Sequence, residues 1–463
     1  MQPQESPPSP SLLVKYGRPG PRYTSYPAVP HWPERYPSAR WAAALADLGE
    51  RARSDPDHAL SLYVHVPFCE RRCLFCGCNV VLSRTHARGS GYVDLIRREL
   101  DRVLEATSQA RLRVCQMHWG GGTPTWLDVA DLIALHRAIA ERVELLPDRE
   151  QSIEIDPRVT TMAQLETLQR FGLDRLSMGV QDIDPTVQKA IGRHQSLAQI
   201  EHMVLGARAL GIRSIAVDLV YGLPHQSVDS FRRTVQTVAD LGVDRIAVYQ
   251  FAYLPARLKH QRALDAAALP DADTRVKLFH TAATILARAG YEAIGMDHFA
   301  LADDELALAR RAGTLRRNFM GYTTRAGTDL LGLGASAISR IGRDFAQSAK
   351  AVPEYAAQVE QGQLPVVAGM ELSEDDLARE RVIQSIMCYG ESELPRLGNG
   401  TAAQLSPRSW EQLAELERDA LVRREGSRVV VTPRGRYFLR NVAMAFDAYL
   451  DRDDAAAQFS RTA

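Results

Sequence analysis

Four cysteines lie within ten residues of this chain, Cys69, Cys73, Cys76 and Cys78, in the segment VHVPFCERRCLFCGCN. The CxxxCxxC spacing of the first three can wrap three thiolates around one corner of an iron-sulfur cube, and a cube with three protein ligands keeps its fourth iron open for chemistry. The spacing prefers a free Cys78, which could still be a fourth ligand, a thiol on the substrate side or a packing residue.

A zinc site is the main alternative for this cysteine cluster. All-cysteine zinc sites normally pair two CxxC knuckles that lie far apart in sequence, and the chain has no second knuckle. A buried, metal-free thiol cluster is also disfavoured, because Glu70, Arg71 and Arg72 lie inside the loop and make it partly wet. We therefore predict a [4Fe-4S] cluster bound by the first three cysteines.

Polar side chains recur on several predicted strands. Tyr63 and His65 are separated by one residue, as are Glu154 and Asp156, and Asp218 lies between two apolar residues. Side chains two residues apart on a strand share a face, so these groups should point to one side of a sheet. Buried carboxylates are costly unless a ligand hydroxyl, an amine or an arginine pairs with them. The repetition favours a binding site, although a lone strand histidine is more often structural.

A glycine-rich turn follows the second predicted strand, as Gly120–Gly122 precede Thr123 and Pro124. A glycine run alone is weak evidence for a binding site. Beside a cysteine loop, however, missing side chains would let the backbone approach a small ligand bound on the cluster.

The elements that position these residues follow one pattern between residues 61 and 300, a short β-branched or aromatic run and then an amphipathic helix. This alternation predicts parallel strands joined by crossover helices, an α/β fold with a complete or partial TIM-like barrel. The predicted strands are 61–67, 114–119, 151–156, 175–180, 214–221, 244–251 and 291–297, and the predicted helices include 90–108 and 197–210, the latter ending at Gly211.

The two ends of the chain differ from this pattern. Composition predicts disorder over residues 1–20, whereas 21–27, PRYTSYP, is rich in tyrosine and should pack onto something. After about residue 371 the pattern predicts helices at 373–388, 408–420 and 436–449 and a strand at 428–432, a winged-helix-like arrangement. Nucleic-acid binding by this part is disfavoured, because its arginines are interspersed with glutamates and aspartates.

The composition limits the remaining classes of protein. Lysine plus arginine and aspartate plus glutamate both total 56 in 463 residues, so net charge gives no argument for a polyanion-binding protein. No stretch reaches the roughly 18 uncharged apolar residues of a membrane span. The clustered cysteines fit reducing conditions better than a secreted disulfide framework. We expect a cytoplasmic monomer that binds neither nucleic acid nor membrane.

Motifs along the whole chain identify a family. CxxxCxxC followed by GGGTP resembles the radical S-adenosylmethionine (SAM) superfamily. From residue 21 almost to the end, the chain resembles the oxygen-independent coproporphyrinogen III oxidases, also called coproporphyrinogen dehydrogenases. The motifs that carry this resemblance are PRYTSYP, LSLYVHVPFC, CLFCGCN, HWGGGTPTWL, SIEIDPR, LSMGVQD, VDLVYGLP, IGMDHFA, DDELALA, RNFMGYTT, DLLGLGASAISRIG, FDAYL and QFSR.

The resemblance implies a fold with four regions. It implies an N-terminal extension (1–55) that touches the active site through 21–27, a partial TIM-like radical SAM barrel (56–300), a connecting region on the substrate and cofactor side (301–370), and a small, mostly helical C-terminal domain (371–463) over the substrate.

The resemblance also implies an activity. SAM would chelate the open iron, and an electron from a flavodoxin or ferredoxin type donor would cleave it to methionine and a 5′-deoxyadenosyl radical. That radical would remove a hydrogen from a propionate β-carbon of coproporphyrinogen III, and loss of CO₂ and an electron would leave a vinyl group. Two rounds would give protoporphyrinogen IX, a step of haem biosynthesis.

Residue roles carried over by the resemblance agree with the polar groups above. Tyr63, His65 and Cys78 are the candidate catalytic residues, and Arg22 and Arg317 are candidate cations for the substrate propionates. The implied cluster ligands are Cys69, Cys73 and Cys76, and the implied SAM-binding residues are Tyr63, Phe75, Gly121, Gly122, Thr123, Glu154, Gln181, Arg193, Asp218, Ala252 and Ile338.

The chain departs from the family pattern at several positions in the later half of the barrel. Met320 replaces a glutamine that lies beside a second SAM in the family, so the resemblance supports one SAM and leaves the second in question. The other departures are Gln250, Tyr253, Phe345 and Ser348. They motivate one alternative, a paralogue that uses the same radical machinery on another tetrapyrrole or related substrate.

A haem chaperone is a further alternative. Relatives of that kind generally lack the PRYTSYP segment and carry phenylalanine where this chain has Cys78, so both features argue against it.

Overall fold

The structure of the protein is a computed structural model. Its largest element is one curved sheet of twelve strands. The structure describes residues 7–33, 35–325, 328–396, 399–400, 405–450 and 459–462.

Strands and helices alternate through most of the described chain. The strands are β1 (Leu60–Val66), β2 (Phe68–Cys69), β3 (Val81–Leu82), β4 (Arg113–Gly121), β5 (Glu144–Ile155), β6 (Arg175–Gln181), β7 (Ser214–Tyr221), β8 (Arg245–Gln250), β9 (Tyr291–Ile294), β10 (His298–Leu301), β11 (Arg316–Asn318), β12 (Gly321–Thr323), β13 (Leu330–Leu333), β14 (Ile338–Ile341), β15 (Asp344–Ser348), β16 (Val366–Glu371), β17 (Glu391–Glu393), β18 (Val422–Glu425) and β19 (Arg428–Val431). The α-helices are α1 (Pro10–Tyr16), α2 (Ser38–Ser54), α3 (Gly89–Ala106), α4 (Val129–Ala140), α5 (Met162–Arg170), α6 (Pro185–Ala190), α7 (Leu197–Ala209), α8 (Val228–Asp240), α9 (Ala272–Arg288), α10 (Glu305–Ala312), α11 (Val352–Glu360), α12 (Glu374–Tyr389), α13 (Pro407–Arg418) and α14 (Leu439–Met444).

Parallel strands form the centre of the large sheet. β1, β4, β5, β6, β7 and β8 are neighbours in the order in which they occur in the sequence, each parallel to the next, and β13 lies parallel to β1 on its other side. The sheet begins at β16 and ends at β9. It is therefore an incomplete α/β barrel, and the predicted fold class is confirmed.

Local sequence signals explain where the crossover helices begin and end. α7 begins after a capping box in which Ser196 and Gln199 satisfy each other's backbone N–H groups, and Thr161 and Gln164 do the same for α5. Gly211 follows α7 with a φ of +80°, the left-handed conformation that ends many helices. These helices cover the sheet in one large hydrophobic cluster.

The last predicted barrel strand, 291–297, is present only as β9 (Tyr291–Ile294), and the prediction is wrong in its length and its parallel orientation. β9 and β10 are antiparallel neighbours, and β10 is antiparallel to β8. The chain reverses at Gly295, whose φ is +58°, and a parallel crossover needs a connection of roughly a dozen residues or more. The seventh parallel strand is β13 instead, within the predicted connecting region 301–370, where β14 and β15 also extend the main sheet.

The predicted disorder of residues 1–20 is wrong where the structure describes them, and residues 1–6 lie outside the described part. α1 buries Leu12, Leu13 and Tyr16, and the Tyr16 hydroxyl donates to Asp419 Oδ2 at 2.6 Å. The prediction of disorder followed from the proline and serine content, which gives no sign of this apolar face. The face packs into the hydrophobic cluster of the C-terminal domain.

The segment 21–27 is anchored on the C-terminal domain by its tyrosines. The Tyr23 hydroxyl donates to Asp447 Oδ2 at 3.0 Å, and the Tyr26 hydroxyl accepts from the Ala448 N–H at 3.2 Å. Arg22 donates instead to the Gln250 carbonyl at the end of β8. The segment thus links the C-terminal domain to the barrel.

The C-terminal domain combines helices with a small sheet in the order β17, β19, β18. α12, α13 and β19 lie close to the predicted ranges. The predicted helix 436–449 is wrong in its extent, because a 3-10 turn at Arg434–Phe438 precedes α14, which ends at Met444.

Candidate active site

The four clustered cysteines lie where the parallel strands end. The loop that carries them follows β1, and all four line a cavity of about 540 Å³ together with the ends of β4, β5 and β6. This carboxyl-terminal end is where α/β barrels carry their active sites. The predicted position of the cysteine loop is therefore the observed one.

Hydrogen bonds from the 3-10 turn at Lys259–Ala263 hold the cysteine loop in place. His260 Nε2 lies 2.8 Å from the Cys76 carbonyl oxygen, and Gln261 Nε2 donates to the Phe75 carbonyl at 3.3 Å and to the Ala252 carbonyl at 3.0 Å. The loop is fixed by its backbone, which leaves the thiols directed to the cavity.

Cationic and hydroxyl groups surround the three predicted ligand thiols. Cys73 Sγ accepts from Arg158 Nη2 at 3.4 Å and from Arg193 Nη1 at 3.5 Å, and Cys69 Sγ lies 3.4 Å from Thr123 Oγ1. A hydrogen bond from Cys78 lowers the pKa of Cys76 to about 7 against the effect of burial. Burial raises the pKa of Cys69 to about 11, so the predicted ligand thiols do not share one shift. Their grouping in one cavity fits three ligands of an iron-sulfur cube, which bind iron as thiolates.

The wall of the cavity carries an ionised glutamate. Burial acts to raise the pKa of Glu154, but the hydrogen bond and charge of His118 and the Gly121 N–H outweigh it and lower that pKa. Gly121 N–H donates to Glu154 Oε2 at 3.0 Å, and His118 Nε2 lies 3.5 Å from Oε1. His118 Nδ1 lies 2.7 Å from Ser152 Oγ. Glu154 therefore presents a fixed negative charge.

Tyr63 and His65 share one face of β1, as their spacing predicts. The Tyr63 hydroxyl lies 2.9 Å from His65 Nδ1, and the Tyr63 ring stacks on His118. Burial lowers the pKa of His65 and raises that of Tyr63, so both side chains are neutral near pH 7.

An aspartate and two arginines also line the cavity. Asp156 Oδ2 accepts from Arg158 Nη2 at 2.6 Å and from Arg193 Nη1 at 3.2 Å. Arg193 Nε is buried and has no partner among the described residues. An unpaired guanidinium N–H beside a cavity fits a ligand carboxylate.

A third carboxylate, Asp218 on β7, differs from Glu154. Burial, followed by the charge of Glu154, raises the pKa of Asp218 to about 7. Ser177 Oγ donates to Asp218 Oδ2 at a long 3.5 Å. The charge of Arg193 acts to lower this pKa but does not outweigh burial, and Asp218 forms no ion pair with the described residues, so a bound ligand could supply its cation.

The glycines of the GGGTP turn have a packing role beyond access for a ligand. A Cβ on Gly121, whose φ is +116°, would lie 2.6 Å from the His65 ring. A Cβ on Gly122 would lie 2.7 Å from the Phe68 carbonyl oxygen. The missing side chains therefore let the end of β4 pass close to His65 and to the start of the cysteine loop. Both glycines also line the cavity.

The structure brings most of the predicted site residues together. The predicted residues that line the cysteine cavity are Cys69, Cys73, Cys76, Cys78, Phe75, Gly121, Gly122, Thr123, Glu154, Gln181, Arg193 and Asp218. Tyr63 and His65 are linked to it through His118 and Gly121. Ala252 is joined to Phe75 by Gln261, whose Nε2 donates to the carbonyl of each. Ile338 on β14 packs against Trp32 and Phe345 instead.

The sequence predictions do not include four residues of this site. Asp156, Ser177 and Tyr249 line the cavity, and His118 contacts Glu154. Asp156 was noted only for its position two residues after Glu154. His118 lies two residues before Gly120 on β4, so the strand period places both on one face of the strand. In the structure His118 is the register partner of Tyr63 on β1, and the two side chains share that face. Ser177 carries no distinguishing signal in the sequence.

The departures from the family pattern fall in different surroundings. Ser348 is buried and donates to Glu99 Oε1 at 3.3 Å, and Phe345 stacks on Trp32 with ring centroids 5.2 Å apart. Met320 lies in the turn between β11 and β12, and Gln250 ends β8. Ser348 is thus a packing residue and carries no argument for a changed substrate, whereas Phe345 also lines a second cavity.

A second, larger cavity of about 790 Å³ lies between the sheet and α12. Arginines dominate its charged lining, and they are Arg51, Arg316, Arg317, Arg325, Arg340, Arg381 and Arg396. Arg317 is 5% exposed, and its Nε and Nη1 have no hydrogen-bond partner among the described residues. Its Nη1 lies 4.0 Å from Asp297 Oδ1, and its guanidinium lies 4.7 Å from the centre of the Tyr322 ring.

Comparisons with known proteins agree with this geometry. The radical SAM superfamily matches residues 63–238. The oxygen-independent coproporphyrinogen III oxidase of Escherichia coli (strain K12) is 39% identical over 454 residues, 97% of each chain. That of Pseudomonas aeruginosa is 40% identical over 446 residues, 95% of each chain. A solved structure of the E. coli coproporphyrinogen III oxidase, described as a radical SAM enzyme, matches with a TM-score of 0.85 at 38% identity, over 95% of this chain and 98% of that one.

Within the described ranges, no helix combines the length and the apolar character of a membrane-spanning helix.

Proposed function

Because the chain belongs to the oxygen-independent coproporphyrinogen III oxidase family of the radical SAM superfamily, we propose that it converts two propionate side chains of coproporphyrinogen III to vinyl groups, giving protoporphyrinogen IX for haem biosynthesis. The observation that carries this proposal is the cavity in which three thiols face Glu154, Arg193 and Asp218.

The enzyme uses a [4Fe-4S] cluster and SAM, the cofactors of its superfamily. When bound, the cluster and SAM would supply a 5′-deoxyadenosyl radical for removing one hydrogen atom from a propionate β-carbon, and CO₂ and one electron would then leave the substrate. We propose Cys69, Cys73 and Cys76 as the ligands. Each round then consumes one SAM and one donated electron, and returns one electron to an acceptor.

The protein's own groups would orient SAM by charge. Arg193, with its unpartnered Nε, suits the SAM carboxylate, and the carboxylates of Glu154 and Asp218 suit ribose hydroxyls and the cationic groups of SAM. Phe75 packs with Tyr249 and Tyr253 in a small hydrophobic cluster next to these groups and is suited to an adenine face. Tyr63 and His65 would hold this wall in place, because Tyr63 packs on His118, which contacts Glu154, and His65 lies against Gly121.

SAM affinity should fall in acid because of Asp218. The pKa of this carboxyl is about 7 in the free protein, and a cationic group of SAM would bind the ionised form more strongly. We expect a constant affinity above about pH 8 and a loss of about tenfold per pH unit below about pH 6. Anaerobic equilibrium binding between these limits measures the profile. Asp218→Asn should bind more weakly and without this pH dependence; a flat wild-type profile would exclude the pairing.

The second SAM site depends on residue 320. The Met320 side chain has no amide to offer a ligand. Its backbone N–H already donates a hydrogen bond to Asn318 Oδ1 at 2.8 Å. If the missing amide weakens the second site, Met320→Gln should raise the SAM bound per cluster from about one towards two, and Met320→Leu should not. Isothermal titration of the reconstituted proteins gives the ratio. Equal ratios in all three proteins would leave Met320 without a role in this site.

The larger cavity supports a substrate with several carboxylates. Its 790 Å³ lies within the usual range for pockets of large ligands, and coproporphyrinogen III carries four propionates. Arg317 is the best placed of its cations, because two of its buried N–H groups lack partners and it adjoins Asp297 and Tyr249. Arg317 would hold a substrate carboxylate beside the SAM cavity.

The electron donor, assembly and location follow from the same proposal. A flavodoxin or ferredoxin type protein would supply the electron from the side of the cysteine loop, where Arg71 is exposed. We propose a cytoplasmic monomer without a nucleic-acid or membrane partner.

One anaerobic experiment tests the function. The reconstituted protein, with iron and sulfide counted, is given SAM, a reductant and coproporphyrinogen III, and CO₂ and protoporphyrinogen IX are measured. We expect two CO₂ per product. SAM cleavage without CO₂ or product from this substrate would instead favour a paralogue with another substrate.

A further inference from the structure

An exposed leucine lies beside one of the predicted cluster ligands. β3 is the parallel neighbour of β2, and in this pairing Leu82 is the register partner of Cys69. The Ser83 N–H donates to the Cys69 carbonyl at 3.0 Å, which fixes the two strands together. Leu82 is 49% exposed. An apolar side chain therefore faces solvent one strand away from a residue that we propose as an iron ligand.

The chain segments that meet at the cysteine loop are rich in cations. Hydrogen bonds join the loop to the carbonyls of Ile191 and Lys350, at 2.9 Å each, and Arg72 Nη1 lies 3.5 Å from His260 Nδ1. Counting the loop itself, the segments are 68–84, 187–194, 257–263 and 348–352. Together they contain nine lysines and arginines and one carboxylate, Glu70.

Much of this positive charge faces solvent without a counter-charge. Glu70 Oε1 already lies 3.8 Å from His86 Nε2. The exposed cations of these segments that form no ion pair with the described residues are Arg71, Arg84, Lys189, Lys259 and Lys350. We call these five cations and Leu82 the cysteine-loop surface. Its positive potential would attract an acidic partner and speed the encounter with it.

We propose that the cysteine-loop surface docks an acidic electron-carrier protein, with Leu82 as its apolar contact. The proposal rests on the proposed function for the one electron that each round needs. Apolar residues with a polar rim are the usual anatomy of a protein interface, and electron-transfer encounters are small and steered by charge. One electron passes from the reduced carrier to the oxidised cluster, so the carrier is oxidised by one electron and no bond forms or breaks.

The position of the surface favours a carrier protein over a small anion. Five of its six residues, all except Arg71, line neither the cysteine cavity nor the cavity of 790 Å³. A small anion such as the substrate would bind to groups inside these cavities, whereas a protein is confined to the surface outside them. Contact at Leu82 would bring the carrier next to Cys69, which shortens the path of the electron.

SAM cleavage driven by a carrier tests this surface without any substrate. The reconstituted protein is given SAM and either a flavodoxin of net negative charge, reduced to its hydroquinone, or dithionite, and 5′-deoxyadenosine is measured. We expect Arg84→Glu and Lys350→Glu each to lower kcat/KM for the flavodoxin about tenfold, and Leu82→Ser to lower it as well. With dithionite all three variants should match the wild type, because these residues line neither cavity. Added sodium chloride should slow the flavodoxin reaction and leave the dithionite reaction unchanged.

A charge reversal elsewhere is the matched control. Arg232→Glu, at an exposed residue on α8, should behave as the wild type with both reductants. Unchanged flavodoxin kinetics in the two charge variants would overturn the docking surface. Equal losses with both reductants would also overturn it, since the residues would then support the structure of the loop.

The assay with substrate separates this proposal from two others. A raised KM for coproporphyrinogen III with unchanged flavodoxin kinetics would assign the cations to steering of the substrate and overturn the docking surface. Losses of flavodoxin-driven SAM cleavage in a protein that forms no product from coproporphyrinogen III would support the docking surface and count only against the proposed function.

Discussion

Cys73→Ser is expected to abolish both the cluster and all cleavage of SAM. Cys73 Sγ lies in the cavity, where it accepts hydrogen bonds from Arg158 Nη2 and Arg193 Nη1. A serine hydroxyl is not a thiolate and does not replace it on iron, so the cube would lose one of three ligands. Iron, sulfide and 5′-deoxyadenosine are measured after anaerobic reconstitution, and we expect less than about one hundredth of wild-type cleavage.

Two cysteine variants serve as matched controls. Cys115→Ser changes a buried thiol that bonds the Leu60 carbonyl at 3.6 Å, away from the cavity, and should keep both iron and cleavage. Cys78→Ser should keep the iron, because the CxxxCxxC triplet is complete without it, and lose product formation if Cys78 is catalytic. Full iron content and cleavage in Cys73→Ser would refute the assignment of Cys73 as a ligand.

Arg317→Met is expected to separate SAM cleavage from product formation. The change removes a buried guanidinium with two unpartnered N–H groups, so a bound substrate carboxylate would lose its charge-assisted hydrogen bonds. Losing one partner of a buried charge pair costs about 3 kcal/mol, which is about a hundredfold in kcat/KM for coproporphyrinogen III. Reductive SAM cleavage without substrate should stay near that of the wild type, since Arg317 does not line the SAM cavity.

The same experiment needs a control for charge and one for stability. Arg317→Lys keeps the cation without the planar fork and should recover part of the activity. Arg311→Gln, an exposed change on α10 that removes the ion pair with Glu292, should leave both rates unchanged. Equal losses of SAM cleavage and product formation in Arg317→Met would show that Arg317 supports the fold and not the substrate.

The cysteine loop and its strands could be predicted because their signals are local. The CxxxCxxC spacing, the alternation on β1 and β5 and the capping residues Ser196 and Thr161 each act within a few residues. By contrast, β13 could not be recognised as a barrel strand, since its parallel pairing with β1 joins residues about 270 positions apart. The same holds for α1, whose partner Asp419 lies 403 residues away.

By itself the sequence indicated the chemistry available to this protein, namely three thiols with the spacing of iron-sulfur ligands and the polar groups that line the strand ends, because both depend on residue type and spacing. Only the tertiary structure decided which groups share a cavity and with what charge. It placed Arg158 and Arg193 against Cys73, raised the pKa of Asp218 by burial, and gathered Arg22, Arg275, Arg436 and Arg440 around one small space. Burial and the field of distant residues set these properties, and neither can be read from neighbours in the sequence.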